Sequence, residues 1–174
     1  MRTKKAKIFM ESNQDYLIER HESKRIVCFK LSEMDFAVYI QNVREVISMR
    51  EVRKVPRVPS FIEGVINLRG NVIPLVNLRK LLGLQLQDYS QARVIILSVN
   101  SSLSVGFMVD EASSVRLIKK KDLLAAPPVK IRGIDQNCIE GVISGDENSI
   151  LLINLLKMVS RDDVQLLGKT LKQL

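Results

Sequence analysis

The residue types that most often perform catalysis or bind metals are sparse in this chain of 174 residues. It has one histidine, His21, and two cysteines, Cys28 and Cys138, each of which lies in an apolar stretch. A closed zinc site needs four such ligands, so we expect neither a metal nor a cofactor. We expect both cysteines to pack in the core as small apolar residues; a disulfide or redox role is the less favoured alternative.

The acidic residues offer no clear catalytic arrangement either. Neighbouring carboxylates occur at positions 110 and 111, 146 and 147, and 162 and 163, in contexts typical of turns and helix starts. No candidate nucleophile has a histidine base, because His21 lies in the polar leader. The sequence therefore predicts a protein that is not an enzyme. A small enzyme that uses Arg69 as an anion clamp is the weakest alternative.

Arg69 stands out because it interrupts two apolar, β-branched runs. Residues 64 to 83 read GVINLRGNVIPLVNLRKLLG, which predicts a strand, a turn and a second strand. We place Arg69, Gly70 and Asn71 at the tip, since glycine and asparagine adopt positive φ at low cost. An arginine on a rigid tip is suited to contact another protein, whereas a solvated turn is the alternative.

The charge is strongly positive, with 27 lysines and arginines against 19 acidic residues and a net charge of +8. Such a basic surface can meet nucleic acid, anionic lipid or an acidic protein, or can simply keep the protein in solution. A β-barrel that binds nucleic acid is the main alternative to a protein-binding module. Aromatic residues make up only 5% and tryptophan is absent, so few side chains could stack on bases, and we expect no nucleic-acid partner.

The chain divides into three parts by composition. Residues 1 to 24 form a polar extension without the apolar segment of a secretory signal. Residues 25 to 159 contain the strand patterns, and residues 160 to 174 are an amphipathic helical tail that follows a break at Ser160. No apolar run approaches the roughly 20 residues of a membrane span, so we expect a cytoplasmic protein.

Short alternating runs predict nine or ten strands. Val27, Phe29 and Leu31 alternate before a short break and Phe36 and Val38 after it, which predicts a hairpin. Further strand pairs are expected within residues 92 to 118 and 138 to 153, with helical turns near 40 to 47 and 78 to 82. Asn77 and Gly83 are suited to begin and end the second of these turns.

These elements predict an all-β fold with short connecting helices and a C-terminal helix. One large sandwich is possible, but two small barrels are favoured, because closure removes exposed sheet edges. The strands fall into two groups of about five, which we divide near residues 83 to 92.

Five motifs resemble those of the CheW family, the adaptors of bacterial chemoreceptor arrays. They are FAVYIQNVREV, PSFIEGVINLRG, IPLVNLR, VGFMVDEASSV and IEGVI, in family order between residues 25 and 159. The resemblance implies two five-stranded SH3-like β-barrels packed on a shared hydrophobic core. No receiver or kinase pattern flanks the module, so the free-standing adaptor is a better match than a composite CheV or CheA.

The resemblance also implies partners. CheW-like proteins are not enzymes; they join the CheA histidine kinase, through its CheW-like regulatory domain, to the cytoplasmic hairpin tip of a chemoreceptor. Membrane association would then be indirect, through the receptors. The receptor-facing groove of the family lies between the barrels and matches Val43, Glu45, Arg69, Val94 and Ile95.

The kinase-facing surface of the family lies on the first barrel, which we expect to include the proline-punctuated edge near residues 52 to 61. The apolar candidates there are Val55, Pro56, Val58 and Phe61, with Arg53, Lys54 and Arg57 as steering charges. Leu124 and Val129 match a second-barrel surface that some relatives use to form rings with CheA. Two residues depart from the family pattern: Asn77 replaces the usual aspartate, and Leu124 replaces an expected basic residue.

Overall fold

The structure is a computed structural model that describes residues 23–126, 128, 131, 133–144 and 148–171. Within these residues lie eleven strands: β1 Ser23–Leu31, β2 Met34–Tyr39, β3 Val43–Ser48, β4 Ile62–Leu68, β5 Asn71–Asn77, β6 Arg93–Ser98, β7 Ser104–Val109, β8 Glu111–Lys119, β9 Leu123–Leu124, β10 Ile139–Ile143 and β11 Ile150–Ile153. Helices are short: α1 Leu78–Leu81, α2 Arg161–Leu171, and 3₁₀ turns at Ile40–Asn42, Lys120–Asp122, Gln136–Cys138 and Leu155–Met158.

The strands form two sheets, which confirms the predicted all-β fold of two small SH3-like barrels. The five-stranded barrel has the order β3-β6-β7-β5-β4, and the six-stranded barrel has the order β8-β1-β2-β11-β10-β9. The sixth strand, β9, has only two residues. None of the helices in the described ranges is long and apolar enough to cross a membrane.

The predicted division near residues 83 to 92 is contradicted by the sheet topology. That connection lies inside the five-stranded barrel, which takes all its strands from residues 43 to 109. The first hairpin, β1 and β2, instead joins strands from the second half of the chain, and β2 runs parallel to β11. Strand pairing across such sequence distances depends on tertiary packing, which local hydrophobic patterns do not report.

The two halves of the chain share one element order and exchange their first hairpins. The pentapeptide IEGVI occurs at residues 62 to 66 and again at 139 to 143. Asn77 Nδ2 donates to Glu63 at 3.1 Å, and Asn154 Nδ2 donates to Glu140 at the same distance. The parallel pair of β5 and β7 likewise corresponds to that of β11 and β2. The barrels are therefore interleaved copies of one repeated unit.

Both copies need glycine within this pentapeptide. Gly64 and Gly141 have φ values of 147° and 158°, which disfavour other residues. A Cβ on Gly64 would lie 2.3 Å from the carbonyl oxygen of Arg53, and one on Gly141 would lie 2.7 Å from that of Leu124. Each glycine thus lets a neighbouring segment approach its strand closely.

A shared apolar core fills the space between the barrels. Val27, Phe29 and Leu31 enter it from β1 as predicted, and the Phe29 and Phe36 rings stack with centroids 5.5 Å apart. Smaller clusters fill each barrel separately, one around Ile26 and one around Leu75. Cys28 and Cys138 are buried free thiols, as expected for core residues.

Several local predictions are confirmed. The Asn77 side chain caps α1 by accepting from the Lys80 N–H at 3.2 Å, and Gly83 follows this helix with φ of 65°. Ser160 marks the expected break, because its Oγ accepts from the Asp163 N–H at 3.0 Å at the start of α2. The predicted hairpins of β1 with β2, β4 with β5, β6 with β7 and β10 with β11 all form.

Other local predictions are wrong in their extent. The helical turn expected over residues 40 to 47 ends at Asn42, and β3 begins at Val43. Strand β1 starts at Ser23, two residues inside the predicted extension, and the rest of the extension lies outside the described residues. At the tip of the β4–β5 hairpin, Arg69 and Gly70 have φ of 51° and 83° and form the turn. Asn71, which we placed in the turn, is the first residue of β5.

A buried ion pair joins the two barrels. Arg79, in α1 beside the five-stranded barrel, donates from Nε and Nη2 to the two carboxylate oxygens of Asp110 at 2.8 and 2.6 Å. Asp110 lies at the break between β7 and β8, where the chain passes from one sheet to the other. Its Oδ2 also accepts from the backbone N–H of Ser32, in the turn of the first hairpin, at 2.6 Å. The hydrogen bonds to Asp110 raise the pKa of Arg79 and outweigh burial, which acts to lower it, so the guanidinium keeps its charge.

We predict that Asp110→Ala lowers the free energy of unfolding by about 3 to 5 kcal/mol, because it leaves the Arg79 guanidinium buried without its counter-charge. The Arg79 and Asp110 side chains are only 9% and 14% exposed, so water compensates little. Urea denaturation of the single variants and of Arg79→Met/Asp110→Leu measures the effect. The double variant should be more stable than Asp110→Ala; equal loss in both would contradict the coupling.

Candidate functional site

Arg69 lies at the exposed tip of the β4–β5 hairpin and forms an ion pair with Glu45. Its side chain is 79% exposed, and Nη2 lies 3.3 Å from Glu45 Oε2 on the neighbouring edge strand β3. An exposed pair of this kind contributes little to folding stability, since water and salt screen it. Both charged groups thus remain available to a partner.

A cleft of about 660 Å³ opens beside this ion pair, between the hairpin tip, the β6–β7 turn and helix α2. We call it the Arg69 cleft. The residues next to the ion pair in sequence, Arg44 and Gly70, line its wall. Val164 and Gly168 of α2 form the opposite side. The cleft thus combines apolar wall residues with charge at its rim, a pattern suited to an amphipathic helical segment.

Of the three aliphatic residues expected in the groove, two have no exposed surface. Val94 and Ile95 are 0% exposed in the central strand β6, which contradicts a direct contact role for them. They lie opposite Ile47 and Val46 of β3 and therefore support that strand from within. Val43 is half-buried and packs against the shared core.

Two other valines supply the exposed apolar area that the sequence analysis assigned to Val94 and Ile95. Val46 on β3 and Val72 on β5 are each 39% exposed. Val72 also lines the cleft beside Gly70. The alternation of β3 could have identified Val46, because Arg44, Val46 and Ser48 all point away from the barrel interior.

The segment expected to face the kinase runs along the outer edge of β4. The Arg53 N–H donates to Val65 and the Val65 N–H donates to Arg53, both at 2.8 Å. This pairing adds the segment to the five-stranded barrel rather than to the barrel that contains the first hairpin β1–β2. The sequence analysis assigns this edge to a first barrel built from the first half of the chain, and this assignment is wrong. The edge belongs to the five-stranded barrel, whose strands lie between residues 43 and 109.

The apolar candidates of this segment divide by burial. Val58 and Phe61 are half-buried and pack against the shared core, so most of their surface anchors the segment. Val55 is also half-buried, whereas Pro56 and Arg57 are exposed. Arg57 has a positive φ of 60°, which marks a tight turn at this exposed corner.

Glu63 ties the segment to the barrel. Its carboxylate accepts from Lys54, from Lys80 at 2.7 Å and from Asn77 at 3.1 Å. Burial opposes the charged form of the carboxylate, but these three hydrogen bonds outweigh that cost and hold the pKa of Glu63 at about 2. Asn77 thus caps α1 and also donates to Glu63, two tasks that an ionised aspartate at this position could not both perform.

A second cleft of about 670 Å³ lies beside this segment, lined in part by Arg50, Glu51, Val52 and Arg53. Its basic rim and that of the Arg69 cleft both belong to the five-stranded barrel. Leu124, on edge strand β9 of the other barrel, is 54% exposed. Val129 lies outside the described residues.

The described side chains form no cluster of three or more His, Cys, Asp or Glu residues that could hold a metal ion. What the two clefts and their rims offer is apolar surface and fixed charge on a rigid barrel. This arrangement suits the recognition of another protein.

Comparison with known proteins agrees with this geometry. A family model described as the CheW-like domain matches residues 25–163. The chain is 29% identical to the chemotaxis protein CheW of Treponema pallidum over 152 residues, 84% of this chain and 88% of that protein. It is 37% identical to CheW of Thermotoga maritima over 98 residues, 56% of this chain and 64% of that protein.

A solved structure is also similar. The crystal structure of the scaffolding protein TtCheW from Thermoanaerobacter tengcongensis is matched with a TM-score of 0.68 and 34% sequence identity. The match covers 76% of this chain and 89% of that one. The similarity therefore extends over both barrels.

We predict that Glu63 makes the free energy of unfolding depend on pH in the acidic range. Its lowered pKa of about 2 means that the stabilisation is fully present above the unfolded-state pKa and is lost as the pH falls toward 2. We expect a loss on the order of 2 kcal/mol, less than the full pKa shift implies because Lys54 is exposed. Urea denaturation of the wild type and Glu63→Gln between pH 6 and 2 measures it. Parallel pH profiles for the two proteins would contradict this role.

Proposed function

This chain belongs to the CheW-like domain family, a family of non-enzymatic chemotaxis scaffold proteins, and from that premise we propose that it couples the CheA histidine kinase to chemoreceptor tips. In this role it binds two partners. One is the CheW-like regulatory domain of the kinase, and the other is the cytoplasmic helical hairpin of the receptor. It acts in the cytoplasm and reaches the inner face of the membrane only through the receptors.

The receptor half of the proposal rests on the Arg69–Glu45 ion pair, which lies at the rim of the Arg69 cleft. A receptor tip is a pair of helices, which presents apolar ridges and charged flanks. Val72 offers exposed apolar area in this cleft, and the two charges would set the register of the helices. Val43 stiffens the base of the same edge.

The kinase half rests on the segment from Arg53 to Phe61. Its backbone pairs with β4 and its half-buried valines anchor it, so Pro56 and the exposed basic side chains are presented on a fixed frame. Pre-organised segments of this kind lose little entropy on binding. Arg53 and Arg57 are the steering charges, while Lys54 is engaged by Glu63.

We predict that Arg69→Glu weakens binding of a receptor cytoplasmic fragment by about 10- to 100-fold, because the variant places two carboxylates together at the rim. The thermal midpoint should change little, since the side chain is exposed. Calorimetric titration and thermal unfolding measure the two effects. Lys121→Glu changes the charge equally at another exposed site and should bind normally. Unchanged binding by Arg69→Glu would remove Arg69 from the site.

We predict that Arg53→Glu/Arg57→Glu slows association with the kinase regulatory domain by about 10-fold at low salt and reduces the salt dependence of the association rate. Steering charges act on the encounter more than on the bound complex, so dissociation should change less. Surface plasmon resonance at several salt concentrations separates the two rates. Arg69→Glu/Lys121→Glu, which changes the net charge by the same amount, is the matched control and should associate like the wild type. An association rate equal to that of the wild type in the double variant would contradict the assignment.

A further inference from the structure

Strand β8 is an exposed edge strand of nine residues at one side of the six-stranded barrel. It pairs with β1 on one side only within the described part of the chain. Val115 and Leu117 on this strand are 57% and 66% exposed, the largest exposures among the hydrophobic residues of the barrel strands. A long edge strand presents a row of backbone N–H and C=O groups, which is a template for pairing with another strand.

The internal repeat supplies a direct comparison for this edge. Strand β3 is the counterpart of β8 in the other barrel, since both carry a bulge at the matching position, with Arg44 and Ser113 as the extra residues. The β3 edge is protected by charge, through Arg44 and the Glu45–Arg69 ion pair. In β8, Ser113 and Ser114 stand in place of Arg44 and Glu45. Val115 matches the exposed Val46 of β3, whereas Leu117 replaces Ser48, so the exposed leucine and the loss of the two charges are particular to β8.

The charge pattern of β8 identifies an occupant. The strand begins with Glu111 and ends with Lys119, and both residues are exposed. An antiparallel pairing of two β8 strands places each acidic start beside the basic end of the other. A parallel pairing would place like charges together, including Arg116 beside Arg116, which is unfavourable.

We propose that β8 pairs antiparallel with β8 of a second copy of this chain, around a two-fold axis near Val115. Such an isologous contact is closed, so it produces a dimer and not a filament. It joins two six-stranded sheets into one and places Val115 opposite Val115 and Leu117 opposite Ser113 of the other copy, which removes part of their exposed surface. The Arg69 cleft and the segment at residues 53 to 61 lie on the other barrel and stay free, so the dimer is independent of the proposed adaptor function.

Sedimentation equilibrium of the full chain over a wide concentration range tests the dimer. We expect a reversible monomer–dimer equilibrium that Leu117→Asp weakens at least 10-fold. Leu86→Asp is the matched control, because Leu86 is 53% exposed outside this strand, and it should dimerise like the wild type. A chain that stays monomeric at every concentration would overturn the proposal. That conclusion would hold whether residues 1 to 22 or another protein covered the edge instead. Equal effects of the two substitutions would overturn it as well.

Charge exchange tests the direction of pairing. Glu111→Lys and Lys119→Glu should each weaken the dimer several-fold, and the double variant should recover most of the wild-type affinity. Mild oxidation of Val115→Cys should give a covalent dimer, while Leu86→Cys should not, since the native cysteines are buried. A double variant weaker than either single variant, or equal cross-linking at both positions, would contradict the antiparallel arrangement.

Discussion

The relative position of the two barrels depends on one buried ion pair, Arg79 with Asp110. The carboxylate sits where the chain leaves one sheet for the other, and it also accepts from Ser32 in the first hairpin. Three parts of the chain that are distant in sequence therefore meet at one charged group. A buried charge that loses its partner is costly, so this contact favours a single docking of the barrels over alternatives. The surrounding shared core supplies most of the burial.

Interleaving of the two repeated halves links the barrels through the chain. Each barrel contains strands from both copies of the repeated unit, and a parallel strand pair joins the two copies within that barrel. The chain crosses between the barrels at Ile40–Asn42 and at Asp110, and the shared core fills the space between them. Surfaces on the five-stranded barrel thereby keep fixed positions relative to the other barrel. An adaptor benefits from such rigidity, because the geometry of one bound partner is passed to the other without a conformational change.

Local features could be predicted from the sequence, whereas contacts between residues distant in sequence could not. Turn formers and alternation located the hairpins. Asn77 and Ser160 stand at the starts of helices and Gly83 follows the end of one, as expected. The pairing of Leu151 with Phe36 joins residues too far apart for any local pattern to indicate. The repeated IEGVI was a signal for the interleaved halves, since a repeated motif implies a repeated unit.

In the candidate site, too, local features could be predicted and long-range packing could not. Exposure of Arg69 followed from its place between two apolar runs. The full burial of Val94 and Ile95 depends on packing at both faces of β6, because Val94 enters the cluster around Leu75 and Ile95 enters the shared core. We propose that one rigid core binds the two partners at separate surfaces. The decisive measurement is a titration of the kinase regulatory domain into the chain alone and into the chain saturated with receptor fragment. We expect equal affinities and a three-component complex, whereas displacement of one partner by the other would rule out separate surfaces.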